Sequence, residues 1–260
     1  MLNRNLQFLI LAAAALPVCL AKADPILEET IEKNYPIEPT AKFSIRNDDG
    51  SIRIYGADIK EIKLQGIKRA YSTERLSQIS ANVSVKPGEV SIETQYPAKP
   101  KWGLSDRSGT VDYVIVLPWT CDISQIELGN GELVVDGMRG GEVHANLGNG
   151  RLFGHNCFTN LHLSVANGGL DIGYDWWEPH QFSLDAQIMN GNARALIPSD
   201  AAFHLVAASE NGHVFSDFTE KENRQPGGVA KIDMLIGEAS KTEIKLHAIN
   251  GSIKIAEVNL

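Results

Sequence analysis

The sequence predicts an all-β protein, a β-solenoid of repeated two-strand coils, with a β-hairpin array or sandwich as the alternative. Three observations lead there. Asn-Gly, Asp-Gly or Gly-Asn-Gly recurs between short runs of alternating polarity. Its glycines are Gly50, Gly131, Gly150, Gly168, Gly191, Gly212 and Gly251, and from Gly131 to Gly212 they follow one another at intervals of 19, 18, 23 and 21. Apolar residues also recur at constant offsets from each glycine. Fixed-period self-similarity of this kind, here with a unit of about 20 residues, marks repeat architectures in which each unit buries its apolar face against the next.

The offsets define the unit. Three, five and seven residues before the glycine stand Val165, Leu163 and Leu161 for Gly168; Ile188, Ala186 and Leu184 for Gly191; and Ala248, Leu246 and Ile244 for Gly251. Gly131 is preceded by Leu128 and Ile126. After the glycine, positions two and four hold Ile52 and Ile54, Leu133 and Val135, Leu170 and Ile172, and Ile253 and Ile255. Residues between them are mostly polar. Alternation with period two puts one face of each strand in a core and the other in water. Gly212 fits least well, because Ser209 and Ser216 occupy its inward positions.

Each unit thus reads strand, corner, strand, connection. Asn and Gly suit the corner because both tolerate positive φ. In a hairpin array, Asn-Gly would be a two-residue turn between paired strands. A solenoid accounts better for both arms carrying inward apolar residues, since stacking aligns them into continuous columns. It would also align Asn130, Asn149, Asn167, Asn190, Asn211 and Asn250, either as an amide ladder or as independent turn residues. The longer interval from Gly212 to Gly251 is expected to hold two units, and Pro87-Gly88 to split the interval from Gly50 to Gly131 into two pairs of units.

The first 23 residues read as a secretory signal peptide: Arg4, an apolar run from Leu6 to Leu20 broken by Pro17, then Ala21-Lys22-Ala23 as a small-x-small cleavage site. The run is short of the roughly 18–20 residues needed to span a bilayer, and no later stretch could do so. Cys19 would suit a lipid anchor, but Val18 stands where a small residue is expected. Cleavage removes two of the 24 basic residues and none of the 32 acidic ones, taking the net charge from −8 to −10. An acidic chain of this kind is a poor nucleic-acid partner, which requires clustered Lys and Arg. An exported protein is the expectation, in the periplasm, at the cell surface or secreted.

Three domains of sequence follow: residues 1–23 as signal, 24–40 as a lead-in or cap with a short helix expected over Ile26–Lys33, and 41–260 as the repeat domain. Exposed loops are expected over 97–109 and from Thr219 to Gly228, and a bulge at Asp175-Trp-Trp-Glu-Pro-His180.

The segments Ile45-Arg-Asn-Asp-Asp-Gly-Ser-Ile-Arg-Ile-Tyr-Gly56, Gly129-Asn-Gly-Glu-Leu-Val-Val-Asp-Gly137 and Ile249-Asn-Gly-Ser-Ile-Lys-Ile255 resemble the exported bacterial putative-adhesin family, a β-strand-repeat family similar to autotransporter-adhesin head domains. The resemblance spans roughly residues 41–258. It implies a β-solenoid, export and no established enzymatic chemistry, and brings no catalytic residues with it.

Chemistry-bearing patterns are sparse. The seven histidines form no HExxH or spaced Cys/His set, so no metal is expected. No Asp-rich loop of calcium-binding type appears. Gly129-Asn-Gly131 and Gly148-Asn-Gly150 precede no helix that could hold a phosphate. No cofactor is implied. Glu127, Asp136 and Glu142, on neighbouring units, are the candidate acid–base carboxylates for an enzyme acting on polysaccharide, and equally serve as solvated faces. Trp176 and Trp177 are the candidate ligand patch, able to stack on sugar rings. The expected role is a non-catalytic, adhesin-like envelope or surface protein that binds an envelope glycan or protein. The alternatives are an enzyme on envelope polysaccharide and a structural or signalling partner of an envelope complex. Cys121 and Cys157 occupy similar places in units two steps apart, about 9–10 Å at the usual strand spacing, so they are expected to stay unpaired.

Overall fold

The computed structural model describes residues 25–98, 106–219, 223–224, 228–238 and 241–259. The signal segment 1–23 and parts of the two expected loops lie outside the described residues. The described residues are all-β but for one short helix, α1 (Thr73–Gln78). Strands β1 (Leu27–Pro36), β2 (Lys42–Ala57) and β3 (Glu61–Ala70) precede the helix, and β4 (Ser80–Lys86), β5 (Glu89–Gln95) and β6 (Thr110–Pro118) follow it. Four long strands come next: β7 (Asp122–Asp136), β8 (Glu142–His155), β9 (Asn160–Gly173) and β10 (Ser183–Pro198). The last part holds β11 (Phe203–Asn211), β12 (Val214–Ser216), β13 (Asn223–Arg224), β14 (Ala230–Ile236), β15 (Glu243–Asn250) and β16 (Ile253–Val258).

The long strands stack in parallel, each pairing through both arms with its neighbours rather than arm against arm. Corner meets corner: Gly50 pairs with Gly131, Gly131 with Gly150, Gly150 with Gly168 and Gly168 with Gly191. These glycines have φ between 128° and 140°. That conformation lets the alternation change phase: Leu128 and Leu133 are both buried although an odd number of positions separates them. Both arms therefore face one core, a single cluster running from Phe43 to Ile255. In β7 a bulge between Ile123 and Ile126 moves Ser124 out of the inward position seven places before the glycine.

The order of stacking departs from chain order at both ends. Gly50 and Gly131 lie on adjacent strands, so the interval between them is an excursion and not four units. Within it Pro87-Gly88 turns the antiparallel β4–β5 hairpin. Strand β5 then stacks on the first arm of β2, and β6 on the second. Together they form a divided rung, interrupted where a corner would stand. Tyr96 fills that break. Its hydroxyl proton is shared between Asn47 Oδ1 at 2.7 Å and the Asp49 carbonyl at 2.8 Å, while Asn47 Nδ2 donates to the Val111 carbonyl at 2.8 Å. Burial raises the Tyr96 phenol above its ordinary range.

At the other end, β15–β16 is the last rung in sequence but lies between β10 and β11–β12. Asn250 therefore faces Asn190 on one side and Asn211 on the other, and the interval from Gly212 to Gly251 holds no second parallel unit among the described residues. Gly212 is not in the left-handed region, and the strand breaks there into β11 and β12. Ser209 is fully buried, its hydroxyl donating to the Gly251 carbonyl at 2.7 Å.

Antiparallel strands close parts of both ends: β3 on β6, β1 on β3, β4 on β5, and β14 on β11. The expected helix over 26–33 is strand β1. Its Leu27, Ile31 and Tyr35 recur every four positions, which also suits a strand whose inward side chains need cover only every second pleat. Pairing with β3 along its whole length overrides the local helical preference of its glutamates.

Cys121 and Cys157 are unpaired and buried. Burial pushes both thiols up to about 12. In the native chain neither is expected to react with a thiol reagent near pH 8, and denaturation without reductant should release both. A bridged pair in the denatured chain would overturn this arrangement.

Candidate functional site

The corner asparagines form a continuous amide ladder. Asn130 Nδ2 donates to Asp49 Oδ1 at 2.9 Å, Asn149 to Asn130 at 2.8 Å, Asn167 to Asn149 at 2.9 Å and Asn190 to Asn167 at 3.0 Å. Asn250 then donates to Asn190 at 2.9 Å, and Asn211 to Asn250 at 3.0 Å. Every amide is engaged with the next, so this edge is a structural seam.

The second arms carry a different surface. Their parallel register sets outward side chains into columns across the stack. One column runs Arg53, Val134, Phe153, Asp171, Arg194, Lys254. A second runs Tyr55, Asp136, His155, Gly173, Leu196. Between them lies an open groove of ≈ 530 Å³. Gly173 leaves a gap in its wall, because a Cβ there would crowd the His155 ring at 3.1 Å.

Ion pairs organise the groove. Arg53 reaches Glu132 Oε1 through Nε at 3.1 Å and Nη2 at 2.7 Å. Arg151 Nε donates to Asp171 Oδ2 at 2.8 Å, with its guanidinium 5.1 Å from the centre of the Phe153 ring. His155 is held between two carboxylates, Nδ1 3.3 Å from Asp136 and Nε2 3.2 Å from Asp175. Asn156, the one described non-glycine residue with positive φ (47°), donates through Nδ2 to Asp175 at 3.0 Å. That bond and His155 hold the Asp175 carboxyl below its ordinary range.

An aromatic cluster sits on the connections just beyond this arm end. The Arg139 guanidinium lies 5.5 Å from the Trp119 ring centre, 5.3 Å from Phe158 and 5.7 Å from Trp176. Glu178 Oε1 takes a 2.6 Å bond from Arg139 and a 3.0 Å bond from the Trp176 indole. Burial works to raise the Glu178 carboxyl, but the Trp176 indole, Arg139 and His180 hold it below its usual value. Trp119 is 37% exposed and Trp176 43%. Trp177 turns inward, its ring 5.5 Å from Tyr174, 5.4 Å from Phe182 and 5.6 Å from Phe203. Trp176 and Trp177 therefore do not present one shared aromatic surface. Trp176 instead shares its cluster with Trp119, which sits on a much earlier connection; stacking alone brings the two near, and no local motif signals it.

The carboxylates proposed for acid–base work are not gathered. Glu127 lies on the first arm of β7 beside Arg46 at 3.6 Å, and Glu142 begins β8 beside His144 at 3.0 Å, while Asp136 ends the second arm of β7. His144 and His162 stack at 4.6 Å. Among the described residues no group of three or more His, Cys, Asp or Glu is placed to hold a metal ion. No described helix is long and apolar enough to cross a membrane.

No protein-family model and no curated protein matches the sequence. Solved structures do. A crystal structure of a "putative cell adhesion protein" from Clostridium sporogenes superposes with a TM-score of 0.54 at 16% identity, covering 88% of this chain and all of that one. A "putative adhesin" from Bacteroides fragilis gives a TM-score of 0.33 at 11% identity, covering 88% and 97%. The first likeness is one of fold.

Proposed function

We propose that the chain is an exported, non-catalytic binding protein of the bacterial envelope or surface, and that its stacked rungs form a β-solenoid presenting a repetitive adhesin-like face. The observation that carries this reading is the exposed Trp119–Arg139–Trp176 cluster on the connections, on the same arm end as the open second-arm groove. Sugar rings present apolar faces that stack on aromatics, and polar rims fix their hydroxyls. The fold of the Clostridium sporogenes protein and its name support an adhesive role. The leader-like segment supports export, and the acidic balance argues against a nucleic-acid partner.

The mature chain is expected to retain envelope glycans in a binding assay without releasing products. Trp119→Ala with Trp176→Ala should weaken retention by about thirtyfold, since stacked aromatics are worth on the order of 1 kcal/mol each. Retention of a single envelope protein and no glycan would favour a structural partner. The enzymatic reading draws on Asp136–His155–Asp175; product release lost in Asp136→Asn would establish it.

A further inference from the structure

We propose that the second-arm groove binds an acidic polysaccharide of the uronic-acid class, lying across the rungs with one ring on Phe153 and a carboxylate on Arg194 and Lys254. The inference rests on the glycan-binding reading above and adds the ligand's chemistry and place.

Arg194 and Lys254 are in register on adjacent strands, which lie about 4.8 Å apart in a sheet, and both are exposed. Neither has an ion pair or hydrogen bond among the described residues. Like charges set opposite each other on a sheet are destabilising. The other arginines of this face are neutralised, Arg53 by Glu132 and Arg151 by Asp171. The acidic residue in register beside the pair is Asp171, across from Arg194 on β9, and its carboxylate is bonded to Arg151 instead, leaving Arg194 and Lys254 without a counter-charge. Arg194 lines the groove beside the apolar Val134, Phe153 and Leu196, and Lys254 stands in register with it on the next strand; this unneutralised pair is complementary to an anionic ligand with an apolar face.

The rest of the rim narrows the class. A guanidinium binds a carboxylate through two parallel bonds, and a neighbouring ammonium adds a point charge. Asp136 lines the other end, and it and Asp175 are both clamped on His155. A densely charged phosphate polymer would meet them along its length, whereas a uronate chain carries one charge per ring and hydroxyls in between. A neutral glycan would leave Arg194 and Lys254 as they are.

The test titrates the mature chain with oligogalacturonate, its methyl ester, a phosphate polymer and polyglutamate. Oligogalacturonate is expected to bind, about tenfold more tightly than its ester and more weakly as salt rises from about 50 to about 500 mM. Arg194→Ala with Lys254→Ala should lose that preference while keeping the thermal midpoint, both side chains being exposed. Arg194→Lys should restore part of it, and Phe153→Ser should lose binding of acid and ester alike. Equal affinity for acid and ester, indifference to the double substitution, or equal binding of phosphate polymer or polyglutamate would each overturn the proposal. If oligogalacturonate fails while envelope glycan is still retained, the ligand class is wrong and the binding function stands. If no envelope glycan is retained either, the functional reading itself fails.

Discussion

Gly150→Val is expected to destabilise the protein by about 3–5 kcal/mol, read as a fall in the denaturation midpoint with the slope preserved. Two costs combine. At φ 132° a β-branched residue is strained. Independently, a Cβ at this position would lie well inside contact distance of the Gly131 carbonyl oxygen on the adjacent rung. Backbone cannot rotate away as a side chain can, so the stack would have to part locally. Asn149→Ala, at the same corner, removes exposed amide bonds and should cost only about 0.5–1.5 kcal/mol. Similar losses for the two variants would show that the corner's rigidity comes from the ladder and not from close backbone approach.

Deleting residues 243–260 is expected to abolish cooperative folding. The segment buries Ile244, Leu246, Ile253 and Ile255. At about 1.5–3 kcal/mol for each large side chain, that is on the order of 6–12 kcal/mol, comparable to the whole stability of a typical domain. The loss also strips partners from β10 on one side and from β11 and β12 on the other. Deleting 25–36 removes only the edge strand β1, none of whose side chains is fully buried, and should leave a cooperative transition. Circular dichroism during denaturant titration distinguishes the two. A cooperative, β-rich product of the first deletion would show that β15–β16 merely decorates the stack.

What was legible in the sequence follows the reach of each signal. Inward residues such as Leu163, Val165, Leu170 and Ile172 announce themselves by alternation about a corner, because burial on each arm depends only on nearby residues. Spacing counts rungs correctly between Gly131 and Gly191, where every unit stacks on its predecessor. It miscounts at both ends, because an interval close to a multiple of the period looks the same whether it holds units or an excursion. Chain order and stacking order are distinct, and only long-range pairing reveals the second. The β1 segment misled for a related reason: its pattern is compatible with helix, and its partner β3 lies beyond any local window. The site was less legible still. Trp176 stands out in the sequence as one of two adjacent tryptophans, but Trp119, Arg139 and the groove residues Phe153 and Arg194 gain meaning only from neighbours on other rungs.

The placement of the antiparallel strands has a consequence for how such a protein can lengthen. Tandem duplication adds a unit harmlessly only where successive units lie side by side and each offers the next an open parallel edge. Here that holds from β7 to β10. A copy of one such unit would take its place between two existing corners, with its asparagine continuing the seam. A copy appended to either terminus would find no such berth. Beyond β2 the chain runs into an excursion, and the last rung is already enclosed between β10 and β11. Length variation among chains of this architecture should therefore concentrate in the middle of the sequence, with the two ends held constant.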